Sequence, residues 1–573
     1  TFDQGPVTDF LLKDKVPPQQ QAADPFGYAS GVLGYDLDLS AGEQREVYLR
    51  IPYSKPTPSE SSTAEVAQSL WDKRHGEVKH YWQAKLQRVD IQLPPAAEKI
   101  VHTLKSTLAY ILINRDGPAI QPGSRNYSRS WIRDGALTSA ALLEMGYTEE
   151  VRDFIKWYAR HQFADGKIPC CVDHRGPDPV AEHDSHGEFI YLLMEYYRHT
   201  RDVGLLNQMW PQAVKAVEYI DSLRQQRLSE TFKTPEKQPF YGIMPESISH
   251  EGYASRPVHA YWDDFWTLRG LKDAASMATI IGDEERDAHF AGLSEAFRQD
   301  LYGSLGKTME RHKIPYLPAS VELGDFDPPA ISIAVNPNSE LRHLPQPALS
   351  QTFEDYYAYF LRRHNSEMAW DTYTPYELRI VGTLVRLGWR QRALELLQFF
   401  LADQRPSAWN HWAEIIWRDP RTPRFIGDMP HTWIGSEFVR SVRSMFVYED
   451  ESDQALIIAA GVPAAWIENE TGITLKRLST YYGTLNYSLR KGDLDELRLK
   501  LSGDIALPPG KIIVTSPLEE PLKGVLVNGK PIETFNAHSA TVGEFPAEVV
   551  LQYSHYPAVT KINPPSEKPN ILQ

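Results

Sequence analysis

Cysteine is nearly absent: Cys170 and Cys171 are the only two among 573 residues. Adjacent cysteines rarely bridge, because the ring is strained, so no disulfide framework holds this chain. Two neighbouring thiols do not make a metal site either; they read as a packed thiol pair. Excess positive charge is also lacking. The formal net charge is −15, whereas nucleic acids and anionic membranes attract basic patches. The same balance weighs against a strongly anionic substrate. No apolar run reaches about 18 residues, the length of a membrane span. A signal-peptide pattern is missing and the chain opens on Thr1 rather than Met. It therefore reads as processed or as a fragment, with a periplasmic or extracellular location expected over a cytoplasmic one.

What is present supports a large core, with 42% hydrophobic and 24% charged residues, the balance of a globular chain. Leu33, Tyr35, Leu37 and Leu39 alternate before a turn at Ser40–Gly42, and Val47, Leu49 and Ile51 alternate after it. That is a hairpin signal. Two strands cannot close a sandwich alone, so residues 1–62 are expected to be part of an N-terminal β-sandwich plus a Pro- and Ser-rich linker. Another chain or a cleaved segment would complete that sandwich. Residues 63–94 read as a connecting helical segment. From there to residue 446 about eleven helical stripes alternate with long aromatic loops. In the clearest, Arg390–Leu401, Ala393, Leu396, Leu397, Phe400 and Leu401 form one apolar face; Val151, Phe154, Ile155 and Tyr158 form another. A mainly α, multi-domain chain is expected, with a closed barrel of paired helices within 95–469 and its long loops at one end. Residues 470–557 return to β alternation, as in Leu485, Tyr487, Leu489 and Leu497, Leu499, Leu501, with a hairpin turn at Asn528-Gly529. Residues 558–573 read as a loose tail.

Five loop segments gather charged and aromatic residues. In Asn126–Asp134, Arg133 and Asp134 offer a donor fork beside an acceptor, which suits vicinal hydroxyls, and Trp131 offers a flat apolar face. Asp134 as a helix cap is the plain alternative. In the second, Asp184 lies between His183 and His186; a cap or a hydroxyl ligand is favoured over a metal site, since no further ligand motif follows. In the third, Glu246 follows Met244 and Pro245, whose desolvation should raise its pKa and suit it to donate a proton. Trp262, Asp263 and Asp264 open the next helix, whose dipole should keep both aspartates ionised. In the fourth, Asp325 and Asp327 suit a turn or a binding wall. The fifth holds Trp412 and Glu414, with Asn410 and His411 placed to keep Glu414 charged, and then Trp433 and Glu437.

The order and character of these segments resemble the glucoamylases of glycoside hydrolase family 15 and the wider six-hairpin glycosidase superfamily. Trp131-Ile132-Arg133-Asp134 is similar to the family's Trp-x-Arg-Asp segment. Gly242–Glu246 is similar to its general-acid loop, with Met-Pro in place of Trp. Glu414, before His431–Ile434, matches its general base. The likeness covers roughly residues 95–446. It implies an (α/α)6 barrel and an inverting glycoside hydrolase needing no cofactor or metal. Glu246 would be the acid and Glu414 the base, with Glu437 as the alternative base. Trp131, Arg133, Asp134, Asp184, Trp262, Asp263, Asp264, Trp412 and Trp433 would bind the sugar, an α-glucosidic or similar terminal unit. Bacterial enzymes of this type also carry a preceding β-sandwich. Three other readings stay open. A phosphorylase would use His250, His259 and Arg256 for phosphate. A polysaccharide lyase would use Tyr253 and His250. A non-catalytic subunit would only bind glycans.

Overall fold

Helix composition separates two rings. The computed structural model describes residues 7–25, 29–49, 51, 64–248, 253, 256–419, 424–468, 471–493 and 495–555. Twelve helices carry the barrel: α1 (Glu98–Ile113), α2 (Ile132–Glu144), α3 (Thr148–Tyr158), α4 (Asp184–Thr200), α5 (Val203–Gln225), α6 (Tyr261–Ile281), α7 (Glu284–His312), α8 (Pro328–Val335), α9 (Ala348–His364), α10 (Leu378–Arg386), α11 (Arg390–Ala402) and α12 (Thr432–Phe446). The even-numbered helices pack in a closed ring, α2 on α4, α6, α8, α10, α12 and back to α2. They are buried on every side: all of α2 and all of α12 are buried, and charges such as Arg133, Arg440 and Arg443 are buried with them. A helix with no wet face sits inside. Odd-numbered helices keep an apolar stripe and a wet face; in α11 the buried residues are Ala393, Leu394, Leu396, Leu397, Phe400 and Leu401. This is the expected (α/α)6 barrel. α4 and α6 touch backbone to backbone at Gly187 and Gly270. A Cβ on Gly270 would lie 2.6 Å from the Gly187 Cα, so neither position accepts a side chain.

Strands β1 (Asp90–Gln92), β2 (Val447–Asp450), β3 (Ala455–Ile458), β4 (Ile473–Thr480), β5 (Gly483–Lys491), β6 (Glu496–Ile505), β7 (Ile512–Thr515), β8 (Leu522–Val527), β9 (Lys530–Pro531), β10 (Ser539–Val542) and β11 (Ala547–Tyr553) form two sheets. The larger is antiparallel, in the order β1-β4-β5-β6-β11-β8-β9; the smaller runs β10-β7-β3-β2, with β7 and β3 parallel. Leu485, Tyr487 and Leu489 share a buried face with Leu497, Leu499 and Leu501, and Tyr487 stands opposite Leu501. Asn528 and Gly529, at φ 51° and 77°, make the expected tight turn between β8 and β9. The β region differs from expectation at its start. α12 runs directly into β2 at Val447, and β1 joins the same domain from residues 90–92. Both pieces are too short to show alternation. Ion pairs tie the closed end of the barrel to these strands, among them Arg443 to Glu449 at 2.6 Å and Arg269 to Glu451 at 2.9 Å.

Residues 1–81 form a separate unit. Its turn at Ser40 is made, with the Glu43 N–H bonded to the Ser40 carbonyl at 2.9 Å. Its strands are not. Residues 29–49 pair in no ladder, and Leu33, Tyr35, Leu37, Leu39, Val47 and Leu49 are exposed. The expected N-terminal sandwich portion is thus absent among the described residues. Alternating residues without a third strand or an apolar cover gain too little burial to hold a hairpin. A helix covers Ala64–Leu86. Residues 52–62 and 558–573 lie outside the described residues, as do His250 and Glu251. No helix among the described residues is long and apolar enough to cross a membrane.

Candidate active site

Loop lengths decide which end of the barrel can be a site. Segments 114–131, 159–183, 226–260, 313–327, 365–377 and 403–431 each lead into the N-terminus of an inner helix, while four of the five return connections are only 145–147, 201–202, 282–283 and 387–389. All inner helices run the same way, so the six long loops crown one mouth. The expected gathering of the five aromatic segments at one end is observed.

The floor of that mouth is built from first-turn residues of the inner helices. Arg133 on α2 is buried and donates to Asp184 on α4 and to Glu182, each at 2.7 Å. The indole N–H of Trp262 on α6 also reaches Asp184, at 2.9 Å. The Trp262 ring meets the Trp433 ring of α12, with centroids 6.3 Å apart. Arg379 on α10 lies over Trp262, Trp433 and Tyr376 at 5.1, 5.3 and 5.4 Å. Glu437 holds both Arg379, at 3.0 Å, and the Trp433 indole N–H, at 2.8 Å. Two guanidinium forks are therefore locked by carboxylates and aromatic faces. Such a lining is organised for hydroxyl groups before any ligand arrives. Trp131, half-buried, stands edge-on to Tyr127. Asp134 is buried at the same turn of α2.

Glu414 sits higher, on the α11–α12 loop. It accepts from the Tyr127 hydroxyl at 2.5 Å and the Tyr376 hydroxyl at 3.3 Å. Gly427, at φ 67°, lies against it; a Cβ there would come within 2.1 Å of Oε2. His431 lies 4.0 Å away, but burial pushes its pKa down to about 3, so it adds no charge at neutral pH. The partners are not those expected: His411 bonds to the His431 carbonyl and Asn410 to Ser106. Asp428 ties this loop to the α1–α2 loop by accepting the backbone N–H groups of Arg125, Asn126 and Tyr127 at 2.9, 3.0 and 3.0 Å.

Glu246, on the α5–α6 loop, departs from expectation. Its neighbour Met244 is buried, but the Glu246 side chain is 52% exposed and pairs with Arg227. His259 is 3.4 Å from it. What burial it has pushes its pKa up; its own backbone N–H, Arg227 and His259 outweigh that, and the pKa is lowered. Asp264 departs the other way. It is fully buried, and desolvation raises its pKa to about 8 against the opposing Met244 N–H bond. At the first turn of α6, burial wins over the helix dipole. Asp263 accepts from the Ser247 hydroxyl at 2.7 Å.

Trp412 is wholly buried, and its indole N–H bonds to the Phe400 carbonyl of the outer helix α11 at 2.8 Å. The His183–His186 segment is held by hydrogen bonds at the start of α4. His186 Nδ1 accepts the Ile168 N–H at 3.2 Å, and Asp184 is already engaged. Asp327 caps α8 through the Ala330 N–H, and burial lifts it to about 6. Tyr253 donates to Asp325 at 2.7 Å. Sequence reasoning missed Glu182, Arg379, Tyr127, Tyr376, Asp428 and Arg227. Glu182, next to His183, Tyr127, four residues before Trp131, and Asp428, five before Trp433, lay inside or beside segments that carried a signal; Arg379, Tyr376 and Arg227 did not.

No protein-family model matches the chain, and no curated protein matches it. Solved structures do. An α-L-rhamnosidase from Dictyoglumus thermophilum superposes with a TM-score of 0.54 at 12% identity, covering 81% of this chain and 50% of that one. The Streptomyces avermitilis α-L-rhamnosidase complexed with L-rhamnose gives 0.51 at 14% identity, covering 81% and 42%. The Aspergillus terreus enzyme gives 0.50 at 10%, covering 82% and 50%. This chain thus spans half the length, or less, of the rhamnosidases whose six-hairpin fold it shares.

Proposed function

We propose that the mouth of the barrel hydrolyses the glycosidic bond of a terminal sugar, with Glu414 as general base and Glu246 as general acid. One relationship carries this reading. Glu246 and Glu414 come from the loops that feed α6 and α12, and these helices stand opposite each other in the inner ring. An inverting mechanism needs carboxyls on opposite faces of the sugar, about 6.5–9.5 Å apart, with room for a water. Two tyrosine hydroxyls stabilise the ionised form of Glu414, as a base requires. Glu246 is held ionised in the free protein. A sugar covering it removes water from a half-exposed carboxyl, and desolvation is the influence that already acts upward on it. Glu437, locked by Arg379 and Trp433, is less suited to activate a water than Glu414.

The rival readings fare worse on the same geometry. Attacking phosphate would have to lie beside the Glu414 carboxylate, while His259 and Arg227 are paired with Glu322 and Glu246. Arg256 is exposed. As a lyase base Tyr253 is poor, since burial and Asp325 push its phenol upward. The named sugar of the structural neighbours makes α-L-rhamnosides the first substrates to try, beside the α-glucosides implied by the family 15 resemblance. Aryl α-L-rhamnoside, aryl α-D-glucoside and matching disaccharides are incubated with the protein, and the product anomer is read by NMR. Inversion at the anomeric carbon supports the reading; a retained anomer, or turnover that requires phosphate, refutes it. If Glu246→Gln keeps turnover on a poor leaving group while Asp263→Asn loses it, the acid is Asp263.

A further inference from the structure

We propose that Cys170 and Cys171 form a thiol oxidation site, and that closing the pair into a disulfide with a peroxide loosens the Trp131–Arg133 segment. The two sulfurs lie 3.7 Å apart, with the Cys170 thiol donating to Cys171, and the Arg129 guanidinium donates to the same Cys171 sulfur at 3.6 Å. Two donors on one sulfur favour its thiolate. Accordingly the Cys171 pKa is lowered, chiefly by the Cys170 bond, and the Cys170 thiol is pushed up by the same bond. The pair is therefore asymmetric, a nucleophile beside a resolving thiol. Both are buried, at 2% and 3% exposure, so the oxidant has to be as small as hydrogen peroxide.

The chemistry balances without a further reagent. The Cys171 thiolate attacks one peroxide oxygen, the O–O bond breaks, and the departing hydroxide takes up the thiol proton as water. This leaves a sulfenic acid on Cys171. The Cys170 sulfur then attacks the Cys171 sulfur; the sulfenic hydroxyl leaves with the Cys170 proton as a second water. Two thiols lose two electrons and one peroxide gains them.

The consequence follows from where the pair sits. Cys171 opens a short strand that pairs with Ser130–Trp131, with Trp131 opposite Cys171. The Cys170 carbonyl accepts the Ile132 N–H at 3.0 Å, and the Cys171 carbonyl accepts the Asp178 N–H at 2.9 Å. The new ring contains the 170–171 peptide. Turning that peptide takes the acceptor away from Ile132, the residue between Trp131 and Arg133.

The test uses the full chain and needs no sugar. Folded protein is treated with hydrogen peroxide, and its mass, its peptides and its amide exchange are followed by mass spectrometry. Expected are the loss of two hydrogens, a 170–171 disulfide peptide, and exchange at 130–134 that is faster by about tenfold or more and is restored by dithiothreitol. Cys170→Ser should carry a sulfenic acid on Cys171, trapped when the peroxide-treated protein, freed of excess peroxide, is unfolded in dimedone, whereas Cys171→Ser should leave Cys170 unmodified. Thiols that react only after unfolding overturn the proposal. So does a disulfide that leaves exchange at 130–134 unchanged, or dimedone on Cys170 in the Cys171→Ser protein.

Discussion

Trp262 and Trp433 meet ring to ring, 6.3 Å apart between centroids, although they open helices on opposite sides of the inner ring. The contact closes the floor of the mouth, and the hydrogen bonds of their indoles lead away from each other, to Asp184 and to Glu437. Trp433→Phe keeps an aromatic face, deletes the bond to Glu437 and trims the ring that meets Trp262 and Arg379. That bond fixes the plane of the indole in the floor, so freeing the ring should weaken binding of the substrate sugar, measured by titration calorimetry. Trp412→Phe is the control. Its indole N–H bonds to the Phe400 carbonyl of the outer helix α11, so its replacement should lower the melting temperature and leave sugar affinity of the folded protein intact. Equal losses of affinity in both variants would count against the floor.

Glu414→Gln should reduce turnover by about 10²–10⁴-fold, the usual worth of a positioned acid or base. Binding should survive, because Arg133, Asp184 and the two tryptophans remain. Single-turnover rates and equilibrium affinity, measured separately on the same variant, separate the two effects. A variant that turns over normally removes Glu414 from the mechanism.

Asp428 supports the site without being placed to touch a sugar. Its buried carboxylate satisfies the N–H groups of Arg125, Asn126 and Tyr127, and Tyr127 in turn holds Glu414. Asp428→Ala removes three hydrogen bonds, but Arg125 and Asn126 are exposed and water can take up their N–H groups, so the loss is the net worth of the bonds, not three desolvation penalties. Denaturant unfolding should show a loss of about 1–3 kcal/mol. Turnover should fall with it, while Asp428→Asn, which still offers an acceptor, should recover part of both. Stability loss with unchanged kcat would mean that the Tyr127–Glu414 bond does not depend on this loop anchor.

The barrel was legible because its determinants are local. Helix α11 was readable almost to the residue from a repeating apolar face, and the Asn528-Gly529 turn from two residues that tolerate positive φ. Residues that the structure brings together at the mouth were legible best where a segment sits in a helix's first turn, as with Arg133, Asp184 and Trp433. In the loops, no period says which way a side chain points. Trp409 and Trp412 flank the same stretch, yet Trp409 is 44% exposed and Trp412 is buried. The surroundings of Glu246 were misread for a related reason. Its sequence neighbours are apolar, but its ionic partners Arg227 and His259 reach it from elsewhere on the α5–α6 loop. The N-terminal alternation failed differently, since a strand pattern records a preference and not a partner.

Asp264 offers a test of the same competition between burial and charge. Its pKa is raised to about 8 by desolvation, with the charge of Glu322 adding and the Met244 N–H bond opposing. An unfolded aspartate titrates near 3.9. Below about pH 4 both states are protonated, and the contribution to stability is fully present. Between about pH 4 and 8 the folded protein keeps a proton that the unfolded chain has released, so stability falls as the pH rises. Above about pH 8 the contribution is lost. Asp264→Asn abolishes this titration and keeps a carbonyl oxygen for the Met244 N–H. The other carboxylates are common to both proteins and cancel in the comparison. Melting temperatures measured from pH 4 to 9 should therefore fall more steeply for the native protein than for the Asn variant. The two should lie close together at pH 4, and the variant should be the more stable at pH 9. Parallel curves would mean that Asp264 is ionised in the folded barrel, with the dipole of α6 outweighing its burial.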